Sequence, residues 1–131
     1  MKRIISILVI SAVAISFSAC EKVEGEGGSS SITGKIHAMV YDGAGNLLTE
    51  YDAEKEDVFI VYGGENTMYD DDIKTSYDGS FRFDYLEPGT YQIFVYEKCT
   101  NCPSGKKVVL REVEITEKKS TIDLGTIEIR K

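Results

Sequence analysis

Two cysteines with two residues between them, Cys99 and Cys102, are the local feature of this sequence with the most obvious chemistry. A c-type haem site needs a histidine directly after the second cysteine, where Pro103 stands instead. A structural zinc site needs four ligands, and beyond this pair only the single His37 is at hand. The pair also lies between two predicted strands, without a helix N-terminus to lower a thiol pKa. We therefore predict a structural disulfide, with a thiol-redox pair as the alternative.

Four aspartates supply the hard oxygen ligands that Ca²⁺ prefers: Asp70, Asp71, Asp72 and Asp78. Their spacing does not fit an EF-hand loop, because Tyr77 and its neighbours do not provide the glycine on which that loop turns. Consecutive strand residues point to opposite faces, so the three adjacent carboxylates could converge only from a loop. We expect a solvated acidic loop and no metal site, and keep Ca²⁺ binding as an alternative.

The sequence holds one histidine, His37, on the polar parity of the first predicted strand, where a surface position is expected. Without a second histidine or a free cysteine, neither a catalytic triad nor a metalloenzyme site can be assembled. The many carboxylates include no pair that its context marks as a general acid and base. We therefore predict that the protein is not an enzyme and uses no cofactor.

Tyrosine occurs eight times, whereas tryptophan is absent. Three of the tyrosines, Tyr69, Tyr77 and Tyr96, could form an exposed aromatic platform for a sugar or a peptide. Tyrosine is also an ordinary half-buried residue of β-sandwiches, and a carbohydrate site more often contains tryptophan. Sugar binding therefore stays an alternative function.

The first 19 residues have the organisation of a secretion signal. Lys2-Arg3 is followed by the apolar segment 4–17 and by Ser18-Ala19-Cys20, a small-residue cleavage site. The apolar segment has 14 residues, too few for the roughly 20 that span a bilayer. Because the leader ends on a cysteine, it resembles the lipobox of bacterial lipoproteins, with Phe17 where leucine is more common. The resemblance implies a signal peptide over 1–19 and lipidation of Cys20.

The charge balance limits the partners. The formal net charge is −7, and removal of Lys2 and Arg3 with the leader would make it −9. Such a chain repels phosphate backbones and gains nothing from anionic lipid, so nucleic acid is excluded and membrane attachment is expected through the lipid. Residues 20–31 are acidic and rich in glycine and serine, which predicts a flexible tether. Their acidic start also resembles a surface-export signal of Gram-negative lipoproteins, with a plain acidic linker as the alternative.

The remaining residues, 32–131, are predicted to form strands that hold these groups. Apolar side chains alternate over 78–95 on both sides of a turn at Pro88-Gly89. The buried parity there comprises Phe81, Phe83, Tyr85, Tyr91, Ile93 and Val95. The unbroken apolar run 58–62 is typical of a strand covered on both faces, and Gly125 marks a bulge. No segment has a helical period, so we predict a single antiparallel β-sandwich of roughly seven strands.

Four segments resemble the carboxypeptidase-regulatory-like domain, a relative of the transthyretin-like (prealbumin-like) and Cna-B-like sandwiches: Ile32–Ile36, Asp42–Gly45, Val58–Ile60 and 78–95 with its Pro-Gly-x-Tyr turn. The resemblance covers nearly all of 32–131. It implies a prealbumin-like sandwich that serves as a spacer, stalk or docking module. Cna-B-like relatives often join a lysine of the first strand to an asparagine of the last. Lys35 matches the lysine, but the last strand has no asparagine, so we expect no such cross-link.

Together these features predict a non-enzymatic, lipid-anchored protein of the cell envelope, whose sandwich is a structural or protein-docking module. Its expected place is the outer membrane of a Gram-negative bacterium, with the membrane and an envelope protein as partners. The alternatives are a surface module that binds carbohydrate or Ca²⁺, and an exported thiol-redox factor that uses Cys99 and Cys102.

Overall fold

The computed structural model describes residues 23–64 and 68–131, and within them it contains eight strands and no helix. The predicted leader and Cys20 lie outside the described residues. No helix in the described part of the chain is long and apolar enough to cross a membrane. The strands are β1 (Glu26–Tyr41), β2 (Leu47–Asp52), β3 (Asp57–Tyr62), β4 (Asp71–Lys74), β5 (Ser80–Leu86), β6 (Gly89–Lys98), β7 (Lys106–Ile115) and β8 (Thr121–Arg130). The all-β prediction is confirmed, with eight strands in place of about seven.

The strands form two sheets of four. In the first sheet β1 is central and pairs with all three other strands. On one side its first part pairs with β5 and its last part with β2, and on the other side it pairs with β8. The second sheet has the order β4-β3-β6-β7 and is antiparallel throughout. The prediction of an antiparallel sandwich needs one correction, because β8 runs parallel to β1. The register of that pair shifts at Gly125, whose φ is +71°, so the predicted bulge is confirmed.

The core lies between the two sheets and is built from alternate residues of their strands. β1, β5 and β8 contribute from one side, and β3, β6 and β7 from the other. Its largest fully buried side chains are Tyr91, Ile32, Ile36, Ile60, Leu86, Ile93, Ile115, Ile127 and Ile129. Phe81 and Phe83 also belong to it, as the alternation of β5 predicts.

β1 begins at Glu26, earlier than the domain boundary predicted at residue 32. Ser30 and Ser31 are buried, so this serine-rich stretch belongs to the folded domain and not to a flexible tether. A polar strand end can be buried because its hydroxyls find partners. Ser30 donates to the carbonyl oxygen of Glu117 at 2.9 Å, and Ser31 donates to the carboxylate of Asp84 at 2.7 Å.

The prediction that Tyr85 lies in the core is wrong, because its side chain is 74% exposed. Its φ is +59°, a left-handed conformation that interrupts the alternation of β5. The interruption turns the next side chain, Leu86, into the core in its place. The pairing of β5 with β1 shifts at the same point, between Phe83 and Leu86.

The hydroxyl of Tyr91 ties the start of β6 to the start of the domain. Its ring is fully buried, and its oxygen accepts a hydrogen bond from the backbone N–H of Gly25 at 2.9 Å. The hydroxyl also lies 2.5 Å from the backbone carbonyl oxygen of Glu87, to which it donates. The Pro-Gly-x-Tyr segment therefore closes its own turn and fastens the chain just before β1.

Replacement of Tyr91 by Phe is expected to lower the free energy of unfolding by about 1–3 kcal/mol, because it removes the partner of a buried N–H group. Chemical denaturation monitored by circular dichroism measures the change. Tyr77→Phe is the matched control, since that side chain is 83% exposed and should be silent. An equal free energy of unfolding in the two variants would mean that the buried hydroxyl does not contribute to stability.

Candidate functional site

Aromatic rings cluster on the outer surface of the second sheet. Phe59 of β3 lies between the buried Val58 and Ile60, so its side chain points away from the core. Its ring centroid is 4.9 Å from that of Phe94 and 5.6 Å from that of Tyr96, both on β6. These contacts place side chains from two strands in one layer of rings outside the sandwich.

The layer extends at both ends. Tyr69, from the segment before β4, packs its ring 4.8 Å from that of Phe59. On β7, Val108 pairs with Tyr96 and Leu110 pairs with Phe94, so both side chains lie on the same outer surface. We call this surface the aromatic face and define it as Phe59, Tyr69, Phe94, Tyr96, Val108 and Leu110.

Four side chains of the aromatic face are exposed to solvent, and Phe59 and Phe94 between them are half-buried. The exposed fractions are 48% for Tyr69, 41% for Tyr96, 49% for Val108 and 44% for Leu110. A contiguous exposed patch of this kind is unusual for a side of a soluble domain that meets only water. Single exposed apolar residues need no explanation, but a row of neighbours does.

Charged side chains border the aromatic face. Asp72 of β4 lies directly opposite Phe59, and Asp57 forms an ion pair with Lys74 at 2.6 Å. Towards the other end Glu112 lies 3.5 Å from the amide of Gln92. The border carries both signs of charge, because Lys98 and Lys106 are paired on the same face beside Tyr96 and Val108, while Lys74 is matched by Asp57.

The predicted tyrosine platform is partly present. Tyr69 and Tyr96 share contacts with Phe59, but Tyr77 lies in the turn before β5 and takes no part. Phe59 was not predicted to be part of the platform, because the unbroken apolar run 58–62 predicts a strand covered on both faces. The regular alternation over 91–96 was the signal that could have predicted the aromatic face. It places Phe94 and Tyr96 on the side of the strand that points away from the core.

Cys99 and Cys102 form a disulfide, with Cα atoms 5.4 Å apart. It lies in the connection between β6 and β7, where Cys99 donates to Gly105 and Gly105 donates to Cys102, both at 2.9 Å. Both cysteines are half-buried. The bridge therefore closes a turn within one sheet and joins neither sheet to the other.

Replacement of both cysteines by alanine is expected to lower the free energy of unfolding by about 2 kcal/mol, because the closed loop is short. Binding at the aromatic face should stay unchanged. Thermal melts compare the double variant with the wild type, and a thiol titration tests the redox alternative. A cysteine thiol that titrates well below ~8.5 and equilibrates with glutathione would contradict a purely structural bridge.

The four aspartates considered for Ca²⁺ are not brought together. Asp70 accepts the backbone N–H of Tyr62, Asp71 accepts that of Asp72, and Asp78 caps the turn into β5 through Ser80. Within residues 23–64 and 68–131 no three His, Cys, Asp or Glu side chains are grouped so that they could hold a metal ion.

His37 lies on the outer surface of the first sheet among charged groups. Its Nδ1 is 3.1 Å from Asp52 and its Nε2 is 3.5 Å from Glu50, while Glu128 is its partner across β8. The hydrogen bond with Asp52 raises the pKa of His37 above the ordinary 6.5. Lys35 forms an ion pair with the same Asp52 at 3.0 Å, and this bond in turn lowers the pKa of Asp52.

The raised pKa of His37 predicts a dependence of stability on pH. The contribution is fully present below about 6.5, the pKa in the unfolded chain, and is lost as the pH rises through the higher folded pKa. Since His37 is the only histidine, its proton resonance can be titrated without assignment. We expect a midpoint above 6.5 that returns to about 6.5 in urea. A folded midpoint at or below that value would contradict the contacts with Asp52 and Glu50.

Comparison with known proteins leaves the family open. No family model matches the chain, and no curated protein matches it. Among solved structures it is similar to a Pseudomonas aeruginosa protein described provisionally as a carbohydrate binding protein, with 12% identity. That match covers 82% of this chain and 91% of the other, at a TM-score of 0.48. A likeness this distant assigns neither a family nor a function to the present chain.

Proposed function

We propose that this protein is a non-enzymatic, lipid-anchored protein of the cell envelope whose β-sandwich docks another protein through the aromatic face. The observation that carries the proposal is the contiguous row of rings and aliphatic side chains on the outer surface of the second sheet, four of which are exposed. Tyrosine and phenylalanine are enriched in the buried centres of protein interfaces, where they contribute most of the binding energy.

The border of the face indicates the chemistry of the partner. Asp72 lies beside Phe59, and Glu112 follows Leu110 along β7. At the other end of β7 the paired Lys98 and Lys106 lie beside Tyr96 and Val108. A partner that complements this pattern has an apolar centre, basic groups where it meets Asp72 and Glu112, and acidic groups where it meets Lys98 and Lys106. Attraction between the two borders would speed association, while burial of the rings would slow dissociation.

The anchor is the second part of the proposal. It rests on the leader 1–19 and on Cys20 at its end, which together imply lipidation after export, with the outer membrane as the expected place. The resemblance of 32–131 to the carboxypeptidase-regulatory-like domain supports a spacer or docking role on that anchor. Such a module needs no cofactor, and its membrane partner is reached through the lipid.

Cys20→Ala tests the anchor in the native organism. We expect the wild type in the membrane fraction with detergent-phase partitioning, and the variant either unprocessed or released to soluble fractions. Ser18→Thr, which keeps a small residue in the cleavage region, is the control. Unchanged mobility and partitioning of Cys20→Ala would show that no lipid is attached there.

Charge on the aromatic face tests docking. Tyr96→Lys with Leu110→Lys should weaken binding of the native envelope partner by about 30-fold or more, the effect of losing central interface residues. Tyr77→Lys with Tyr85→Lys is the matched control, because both tyrosines are exposed elsewhere. Co-purification from the native membrane identifies the partner, and binding of the purified pair gives the ratio. Equal loss in both double variants, or loss in neither, would contradict docking at this face.

A sugar ligand is the second candidate for the same surface. Tyr69 and Tyr96 each combine an exposed ring with a hydroxyl group, and such side chains can stack on a sugar and hydrogen-bond to it. A screen against a panel of neutral and acidic oligosaccharides decides between the candidates. Sugar binding that Tyr96→Lys abolishes, in a protein that captures no envelope partner, would replace the docking proposal.

A further inference from the structure

β7 is an edge strand of the second sheet. Over its whole length, from Lys106 to Ile115, it pairs with β6 on one side. In the part of the chain that the structure describes, no strand pairs with its other side. A ten-residue edge therefore presents unpaired backbone donors and acceptors, to which another strand can be added.

The outer-facing side chains of β7 are ordered by charge. Lys106 opens the strand, Val108 and Leu110 follow with exposed fractions of 49% and 44%, and Glu112 lies beyond them. Lysines alone along an edge would repel a second copy of the same edge. An order of basic, apolar and acidic residues instead complements itself when the strand pairs antiparallel with its own copy.

We propose that β7 pairs with β7 of a second copy of this chain, antiparallel and with Val109 on the two-fold axis. In this register Lys106 lies opposite Glu112 of the second copy, and Val108 lies opposite Leu110 of the second copy. A two-fold axis perpendicular to the sheet keeps every residue on its own face, so these pairs all lie on the outer surface. Each pair then occurs twice.

The pairing makes one eight-stranded sheet out of two sheets of four. The apolar row that crosses one copy from Phe59 through Phe94 to Leu110 then continues into Val108 and Tyr96 of the second copy. The aromatic faces of the two copies become one surface. The inference goes beyond the proposed function and does not rest on it, because it concerns the edge and not the partner of the face.

One contact of the register opposes the pairing. On the inner side Lys107 lies opposite Arg111 of the second copy, and like charges in that position repel. The charge of Lys107 is, however, matched within its own copy by Glu97 at 3.0 Å. Strand pairing alone also buries little surface, so the dimer belongs to the weak, reversible class of interfaces.

A charge exchange tests the register. Lys106→Glu and Glu112→Lys, each alone, place two like-charged pairs in the dimer and should weaken it by roughly tenfold or more. The double variant Lys106→Glu with Glu112→Lys restores both pairs and should restore dimerisation. A mixture of the two single variants should form the mixed dimer. Sedimentation equilibrium of the full chain in detergent, over a concentration series, measures each constant.

Glu114→Lys is the matched control, since it makes the same charge change on the same face two residues outside the proposed pairs. It should weaken the dimer far less than Glu112→Lys. A wild-type chain that stays monomeric at every concentration overturns the proposal. So does an equal effect of the two glutamate variants, or a double variant that dimerises no better than the single ones. Failure of docking in the separate partner assay leaves these constants unchanged and is therefore distinguishable.

Discussion

Replacement of Phe83 by Ala is expected to lower the free energy of unfolding by about 3–5 kcal/mol, the usual cost of removing a buried phenylalanine ring. Phe83 is 5% exposed and lies in the core beside Phe81, with ring centroids 6.1 Å apart. It also sits on the last regular stretch of β5 before the left-handed Tyr85. A small domain has only about 5–15 kcal/mol to lose, so the loss is a large share of the total.

The control is the next residue towards the start of the strand, Arg82, which points outward. Its Nε lies 2.5 Å from Asp84, and its guanidinium donates to Ser31 at 3.1 Å. Exposed ion pairs of this kind contribute ~0–1 kcal/mol, so Arg82→Ala should be nearly silent. Urea denaturation of the two variants gives both numbers. A Phe83→Ala free energy of unfolding equal to that of the wild type would mean that β5 does not bury this face.

Replacement of Gly79 by Ala is expected to cost about 2–5 kcal/mol, through two separate effects. Its φ is +80°, where an L side chain is strained. An added Cβ would also lie 2.4 Å from the carbonyl oxygen of Ile36, which is backbone and cannot swing away. To avoid this contact the backbone at residue 79 would have to move away from Ile36. The movement would break the 2.8 Å hydrogen bond from Ile36 N to Gly79 O, which holds the turn before β5 against β1.

Gly45 separates the two effects. Its φ of +88° is equally left-handed, but nothing lies within 4 Å of an added Cβ. Gly45→Ala should therefore cost only the conformational share, ~1–2 kcal/mol. The difference between the two variants measures the close approach to Ile36. Equal destabilisation would show that the turn at Gly79 moves freely and that only φ matters at both sites.

The sequence predicted the elements well because their signal is local. Alternation with a period of two arises wherever one side of a strand meets the core and the other meets water. That rule identified Phe81, Phe83, Tyr91, Ile93 and Val95 as buried, and all five are. The disulfide and the bulge at Gly125 were likewise predictable, since each depends on residue types within a few positions of the chain.

The same local rule failed where the backbone leaves the regular strand conformation. Tyr85 has the correct parity for the core, but the positive φ at that residue turns its side chain outward. The side chain of Leu86 is buried instead. The composition of the serine-rich start of β1 predicts a tether, whereas this stretch is buried at Ser30 and Ser31. Its burial depends on hydroxyl partners far away in the chain, such as Glu117 for Ser30, which composition cannot reveal.

By itself, the sequence determined that the domain is all-β and which side of most strands is buried, because both follow from neighbours along the chain. Only the tertiary structure decided which strands lie side by side. Phe59 and Phe94 are separated by 34 intervening residues, and they meet because β3 pairs with β6 in one register. A shift of one residue would turn either ring into the core. The aromatic face is therefore a product of long-range strand pairing, as is the free edge of β7 beside it.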